Sequence, residues 1–145
     1  MKSVLLDTNV LLDVLAKREP HYTSSARVWS LIETNQIKGF ISAISYNNLF
    51  YILCKAKNRA TARKALILLR DLFNTVPLDE KIVNMAIDSD FKDLEDAIQY
   101  FSAIRIQANC IITRNKSDFK KADLPILSPE EFLNIDTKEA RKRPR

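Results

Sequence analysis

Apolar and polar positions follow two rhythms along this chain. Short runs of β-branched and aliphatic residues are separated by longer stretches in which apolar side chains recur three or four positions apart. The first run, Ser3 to Leu6, predicts a buried strand. Asp7-Thr8-Asn9 follows it into a helix that fades at Arg18-Glu19-Pro20, where proline and its neighbour break the helical geometry. Tyr22, Ala26, Trp29 and Ile32 mark a second helix from His21 to Glu33, and Gly39 then introduces a strand at Phe40 to Ala43. Helices are expected at Tyr46 to Lys55 and at Arg59 to Phe73, with Asn58 capping the second. A strand at Thr75 to Leu78 precedes Asp79, the cap of a helix through Ile87. Asp93 to Gln107 reads as a helix, Cys110 to Thr113 as a buried strand, Ser117 to Lys121 as a helical turn or more, and Pro125 to Leu127 as a short strand. In Ser128-Pro129-Glu130-Glu131 the serine sits at a cap, with proline first and glutamate third in the final helix.

Strands alternating with helices predict an α/β domain with a mainly parallel sheet of about five strands. Strand order stays open at this level. Each strand-to-helix turn nevertheless lies at the carboxyl edge of the sheet, where open α/β folds bind their ligands.

Composition narrows the chemistry. The 145 residues suit one domain, and Gly39 is the only glycine, which excludes the glycine-rich loops that cradle nucleotide phosphates. His21 is the only histidine, so a histidine pair for acid–base catalysis and a histidine-rich zinc site are excluded. His21 itself reads as a surface residue at a helix start, and catalysis, if any, falls to carboxylates. No apolar run approaches the ~18 residues of a membrane span, and the expected location is cytoplasmic. Cys54 and Cys110 are far apart in the sequence with no CxxC, which suits two reduced thiols. Trp29 reads as core. The apolar run Ala65 to Leu69 reads as buried against the sheet, with a dimer or partner surface as the other reading.

Charge is segregated. Of the net +5, +3 belongs to residues 136–145, read as a basic, disordered tail beyond a domain of residues 1–135. From Lys38 to Arg70 there are seven basic residues and no acid, whereas Asp79 to Asp96 holds seven acids and two lysines. This predicts a basic surface and an acidic pocket in one fold. Lys55, Arg59 and Arg63 recur every fourth position and are candidates for tracking RNA phosphates, a solvated helical face being the alternative.

Asp7 and Asp118 follow predicted strands, and Asp93-Leu94-Glu95-Asp96 opens the helix that leads into the last buried strand. Singly, each aspartate suits a helix cap. Brought together, Asp7, Asp96 and Asp118 would repel one another strongly in a partly desolvated cleft. A divalent cation relieves that repulsion, and oxygen-only ligands select Mg²⁺ or Mn²⁺ over zinc.

Leu5-Leu6-Asp7-Thr8-Asn9-Val10-Leu11-Leu12 resembles the opening signature of PIN-domain ribonucleases. Ile41 to Asn48, Asp93 to Tyr100 and Ile112 to Phe119 resemble their next three segments in the right order, across residues 1 to about 135. The resemblance implies a PIN-like α/β/α sandwich and Mg²⁺- or Mn²⁺-dependent cleavage of RNA. It further implies a homodimer and, often, a role as the VapC-type toxin of a toxin–antitoxin pair, held by an antitoxin protein. It assigns Asp7, Asp96 and Asp118 as metal-binding and catalytic, supported by Thr8, Asn9, Asn48, Asp93, Thr113 and Asn115. Asn48 stands where most such nucleases have glutamate and Asn115 where many have aspartate, with Asp118 three residues on as a familiar substitute. Asparagine at 48 removes a charge and cannot act as a base, so the alternative is a catalytically weakened PIN-like domain that binds RNA or a protein. A phosphoacceptor receiver domain would need an acidic pair after the first strand, where this chain has Asp7-Thr8.

Overall fold

The computed structural model describes residues 1–119 and 122–142. Strands β1 (Ser3–Leu6), β2 (Lys38–Ser42), β3 (Asn74–Val76), β4 (Cys110–Ile112) and β5 (Ile126–Leu127) pair in the order β3-β2-β1-β4-β5. Every pairing is parallel. Helices α1 (Thr8–Leu15), α2 (Tyr22–Glu33), α3 (Ala43–Ala56), α4 (Arg59–Leu72), α5 (Glu80–Asp88), α6 (Leu94–Arg105) and α7 (Pro129–Lys142) connect and follow them. A 3-10 turn spans Lys116–Phe119; the expected extension to Lys121 lies outside the described residues.

Period-two alternation sorts each strand between two cores. Val4, Leu6, Ile41, Cys110 and Ile112 join the core under α1 to α4 and α7. Leu5, Val76 and Ile111 join the core under α5 and α6. The predicted sandwich is therefore present, with helices on both faces of a five-stranded sheet.

The predicted caps form. Asn58 accepts from the Thr61 amide at 2.8 Å, Asp79 from Ile82 at 3.1 Å and Asp93 from Asp96 at 3.0 Å. Ser128 and Glu131 bond reciprocally at the start of α7, at 3.0 and 3.1 Å, as a capping box. Three helices, α1, α2 and α6, end in paired backbone bonds across a residue at positive φ: Lys17 (50°), Asn35 (59°) and Gln107 (53°). Glycine usually fills that position. The chain's one glycine is needed elsewhere, because a Cβ on Gly39 would lie 2.7 Å from Ile32 Cδ1 and 2.8 Å from the Phe73 ring.

Several expectations need correction. α3 starts at Ala43, directly after β2, rather than at Tyr46, so Ser42 takes the cap position and Ser45 turns into the buried interior. Residues 136–142 continue α7 instead of forming a disordered tail, and Lys2 pairs with Glu139 on that helix; residues 143–145 lie outside the described residues. In the run Ala65 to Leu69, Leu69 is buried while Ile67 and Leu68 stay exposed, because α4 turns only one face toward α3. Trp29 is core as expected, edge-on to Phe73 with ring centroids 5.2 Å apart. Cys54 and Cys110 are free thiols, and burial pushes Cys110 up to about 12. No helix among the described residues is long and apolar enough to cross a membrane.

Candidate active site

The strand order reverses at β1. β2 and β3 continue to one side of it, whereas the chain passes through α5 and α6 to place β4 on the other. The carboxyl ends of β1 and β4 therefore form the switch point at which α/β sheets carry their ligand crevice. Register pairs Leu6 with Ile112, so the next residues, Asp7 and Thr113, emerge side by side.

Asp7 occupies the cap position of α1, but its side chain makes no capping hydrogen bond. It accepts instead from Gln99 Nε2 at 3.0 Å and from Thr113 Oγ1 at 2.7 Å. Only 3% of Asp7 is exposed. Burial pushes its pKa up, and the bonds from Thr113 and Gln99 oppose that rise. Thr113 also accepts from the Asn115 amide at 3.0 Å, which shapes the loop toward Asp118.

Thr8 is the second organising residue. Its hydroxyl donates to Glu95 Oε1 at 2.7 Å and lies 2.7 Å from Ser45 Oγ. With its one proton committed to Glu95, Thr8 accepts from Ser45. Its amide donates to Gln99 Oε1 at 3.2 Å, so Gln99 bridges the Thr8 backbone and the Asp7 carboxylate. Asn48 donates to the other Glu95 oxygen.

Four of the carboxylates converge on Asp96. Burial pushes Asp96 up to about 7, helped by the charges of Asp93, Asp7, Asp118 and Glu95. Burial also raises Glu95; the Thr8 bond opposes this, and the charges of Asp7 and Asp93 add to it. Asp93 does cap α6 through Asp96, so its structural reading holds. Asp93, Asp96 and Asp118 line a cavity of about 310 Å³. Asn48, Glu95 and Tyr51 line a second one of about 650 Å³.

The donor set consists of hard carboxylate oxygens whose mutual repulsion a divalent cation would relieve, and oxygen donors suit Mg²⁺ or Mn²⁺. As the side chains stand, no three acidic, histidine or cysteine groups among the described residues are gathered closely enough to hold one ion.

Asn9 lies half-buried in the first turn of α1, and Asn115 half-buried after β4. Lys55 belongs to α3, whereas Arg59 and Arg63 belong to α4, so their regular spacing does not run along one helix. Lys55 covers the Tyr51 ring at 4.5 Å, and Tyr51 lines the cavity that Glu95 and Asn48 share. Arg63 covers Phe50 at 5.6 Å.

Sequence reasoning gave no role to Glu95, Gln99, Ser45, Asp13 or Arg114. Glu95 and Gln99 lie inside the quoted Asp93 to Tyr100 segment, and Gln99 carries a signal, being polar on the apolar face of α6. Asp13 is fully buried in α1 and is held by Arg114 Nε at 2.7 Å. That pair ties the loop after β4 to the helix after β1, and no local pattern announces it.

A sequence model of the PIN domain matches residues 3–117. Ribonuclease VapC1 of Aquifex aeolicus (strain VF5) is 28% identical over 139 residues, covering 90% of this chain and 93% of that protein. Among solved structures, VapBC2 from Rickettsia felis, bound to a DNA fragment from its promoter, matches with a TM-score of 0.69 at 19% identity, over 87% of this chain and 98% of that one. A toxin–antitoxin complex from Klebsiella pneumoniae matches with a TM-score of 0.65 at 24% identity, over 87% and 97%. These two likenesses concern the fold.

Proposed function

The chain belongs to the PIN-domain family, and from that premise we propose that it is a metal-dependent ribonuclease, the toxin of a toxin–antitoxin pair. The observation that carries this reading is the placement of Asp7, Glu95 and Asp118 around Asp96 at the switch point of the sheet, near enough for their charges to act on it.

Asp7, Glu95, Asp96 and Asp118 would hold Mg²⁺ or Mn²⁺. Such a cation supplies neutralising charge and Lewis-acid polarisation at a phosphate. The chain's own residues do the rest. Gln99 and Thr113 fix Asp7 in a buried position, and Thr8 and Asn48 hold Glu95 by both oxygens. Asp96 or Asp118, the carboxylates that share the cavity, accepts the proton from water. The water oxygen bonds to phosphorus as the bond to the leaving ribose oxygen breaks.

Asn48 then reads as a positioning residue. The charge it lacks is carried by Glu95, which it contacts. The basic residues Lys55, Arg59 and Arg63 supply a surface for the RNA backbone beyond Tyr51. The solved toxin–antitoxin likeness and the exposed Ile67 and Leu68 support a protein partner and a homodimer as further parts of the reading.

The test is cleavage of single-stranded RNA with Mn²⁺, with EDTA, and with Asp7→Asn. Cleavage is expected only in the first case, and equal cleavage in all three would overturn the proposal.

A further inference from the structure

Phe91 stands in the connection between α5 and α6, in the wall of the cavity that Asp96 and Asp118 share. Local hydrogen bonds fix the backbone there. Ser89 Oγ donates to the Ala86 carbonyl at 2.7 Å and accepts from the Phe91 amide at 3.3 Å. Behind the Phe91 ring lie Tyr100, Phe119 and Phe101, with centroids 5.2, 6.2 and 6.5 Å away. Phe119 and Tyr100 are themselves buried, so the cluster is anchored in the core. Phe91 is only half-buried and contributes an aromatic surface to a cavity otherwise walled by carboxylates, Lys92 and Ser117.

That combination is selective. Asp96 and Asp118 would hold the cation that draws a phosphate, whereas Asp90 and Asp93, close to Phe91 in the chain, repel it and leave that end of the cavity to a neutral group. A nucleobase is neutral, offers a flat face to an aromatic ring, and carries N–H groups that carboxylates accept. The cavity, of about 310 Å³, has the size of a small-molecule site and admits one nucleoside, not a duplex. Among the bases, guanine presents two adjacent donors, N1–H and N2–H, that match one carboxylate. Uracil presents a single donor between two acceptors that Asp93 would repel.

We propose that this cavity is a base-recognition pocket, in which an unpaired purine next to the scissile phosphate stacks on Phe91 and turns its N–H edge to Asp93, with guanine preferred. The inference rests on the ribonuclease reading and deepens it by naming a specificity residue.

The probe is a short single-stranded RNA carrying one 2-aminopurine, whose fluorescence is quenched on stacking, titrated with Ca²⁺ in place of Mn²⁺. The wild-type protein and Phe91→Tyr are expected to quench it. Phe91→Leu keeps an apolar side chain against Tyr100 and Phe119 but is expected to lose the quenching and bind about tenfold more weakly, as removal of one stacked base requires. Ser117→Trp, which fills the cavity from the turn at Lys116–Phe119, is expected to do the same. With Mn²⁺ and RNA of mixed sequence, Phe91→Leu should raise KM about tenfold while kcat changes little, and Asp93→Asn, which keeps a cap for α6, should lose the preference for guanine. Quenching by a folded Phe91→Leu equal to the wild type, or cleavage by Asp93→Asn with an unchanged base preference, would overturn the pocket while leaving the nuclease standing. Absence of any Mn²⁺-dependent cleavage by the wild type would overturn the nuclease reading, and the fluorescence then still decides whether a base stacks on Phe91.

Discussion

Asn48 donates a hydrogen bond to the carboxylate of Glu95, across the gap between α3 and α6. The residue that departs from the usual PIN pattern is thus attached to an acid that the pattern in this chain supplies from another helix. Replacing Asn48 with glutamate would set two carboxylates against each other. Asn48→Glu is therefore expected to lower the melting temperature without metal and to regain it with Mn²⁺. Glu95→Gln should weaken Mn²⁺ binding by about 10- to 100-fold, and Asn48→Ala should weaken it less, since positioning partners act through the group they hold. Titration calorimetry checks both; Glu95→Gln binding Mn²⁺ as the parent does would remove Glu95 from the site.

Asp7 is buried with one hydrogen bond on each oxygen. Removing either donor leaves a desolvated charge short of a partner. Thr113→Val and Gln99→Ala are each expected to cost about 1–3 kcal/mol in urea unfolding. Gln99→Ala should be the worse, because the Thr8 amide loses its acceptor as well. Asp7→Asn, which removes the buried charge, should keep or raise stability while abolishing cleavage; a strongly destabilised Asp7→Asn would contradict this account of the burial.

The pH dependence of the metal-free protein has a definite sign. Asp96 has an ordinary value of 3.8 and is pushed up to about 7 by burial and by its carboxylate neighbours. Between those values the folded state holds a proton that the unfolded chain has released, so stability falls as pH rises from about 4 to about 7. Asp7 and Glu95, raised chiefly by burial, add in the same direction. Asp79 and Glu131 are held down, chiefly by the Arg105 side chain and the Ser128 amide respectively, and act with the opposite sign only at lower pH. Melting temperature in EDTA should decline across that window, and Asp96→Asn should flatten the decline. Parallel curves for parent and variant would assign the effect elsewhere.

Lys17 and Gln107 hold positive φ at helix ends without glycine's freedom. For an L-residue that conformation costs roughly 1–2 kcal/mol, partly offset on substitution by the greater chain entropy of unfolded glycine. Lys17→Gly and Gln107→Gly should each raise unfolding free energy by up to about 1 kcal/mol. Both sites are remote from the carboxylate cluster in the chain, so cleavage rates should not change. A loss of stability in chemical denaturation would show that the lysine and glutamine side chains contribute more than the strain.

Lys55, Arg59 and Arg63 are exposed, and Lys55 and Arg63 sit over aromatic rings of α3. If all three track phosphates, replacing them with alanine should reduce the salt slope of RNA binding by about 2 logarithmic units per decade of salt. Binding measured from low to moderate salt checks this, and an unchanged slope would return these residues to a solvated face.

Most of the elements were legible in the chain because their signals are local. Strand alternation, the caps at Asn58, Asp79 and Asp93, and the capping box at Ser128 and Glu131 each depend on residues a few positions apart. Where local signals compete, they mislead. The predicted strand ran one residue too far, to Ala43, which opens α3, and the charged residues after Ile135 suggested disorder where α7 continues, tied to Lys2 through Glu139.

The sequence by itself determined the chemistry available: one glycine, one histidine and seven acids between Asp79 and Asp96 direct any site to oxygen ligands. It also marked Asp7, Asp96 and Asp118 as candidates through their places after strands and at a helix start. Only the tertiary structure decided which groups meet. The order β3-β2-β1-β4-β5 sets Asp7 beside Thr113, and the packing of α6 over that edge brings Gln99 and Glu95 to Asp7, Thr8 and Asn48. These contacts join residues 47 to 106 positions apart. Periodicity reports which face of its own element a side chain occupies, but the neighbour that it meets there is chosen by strand order and helix packing.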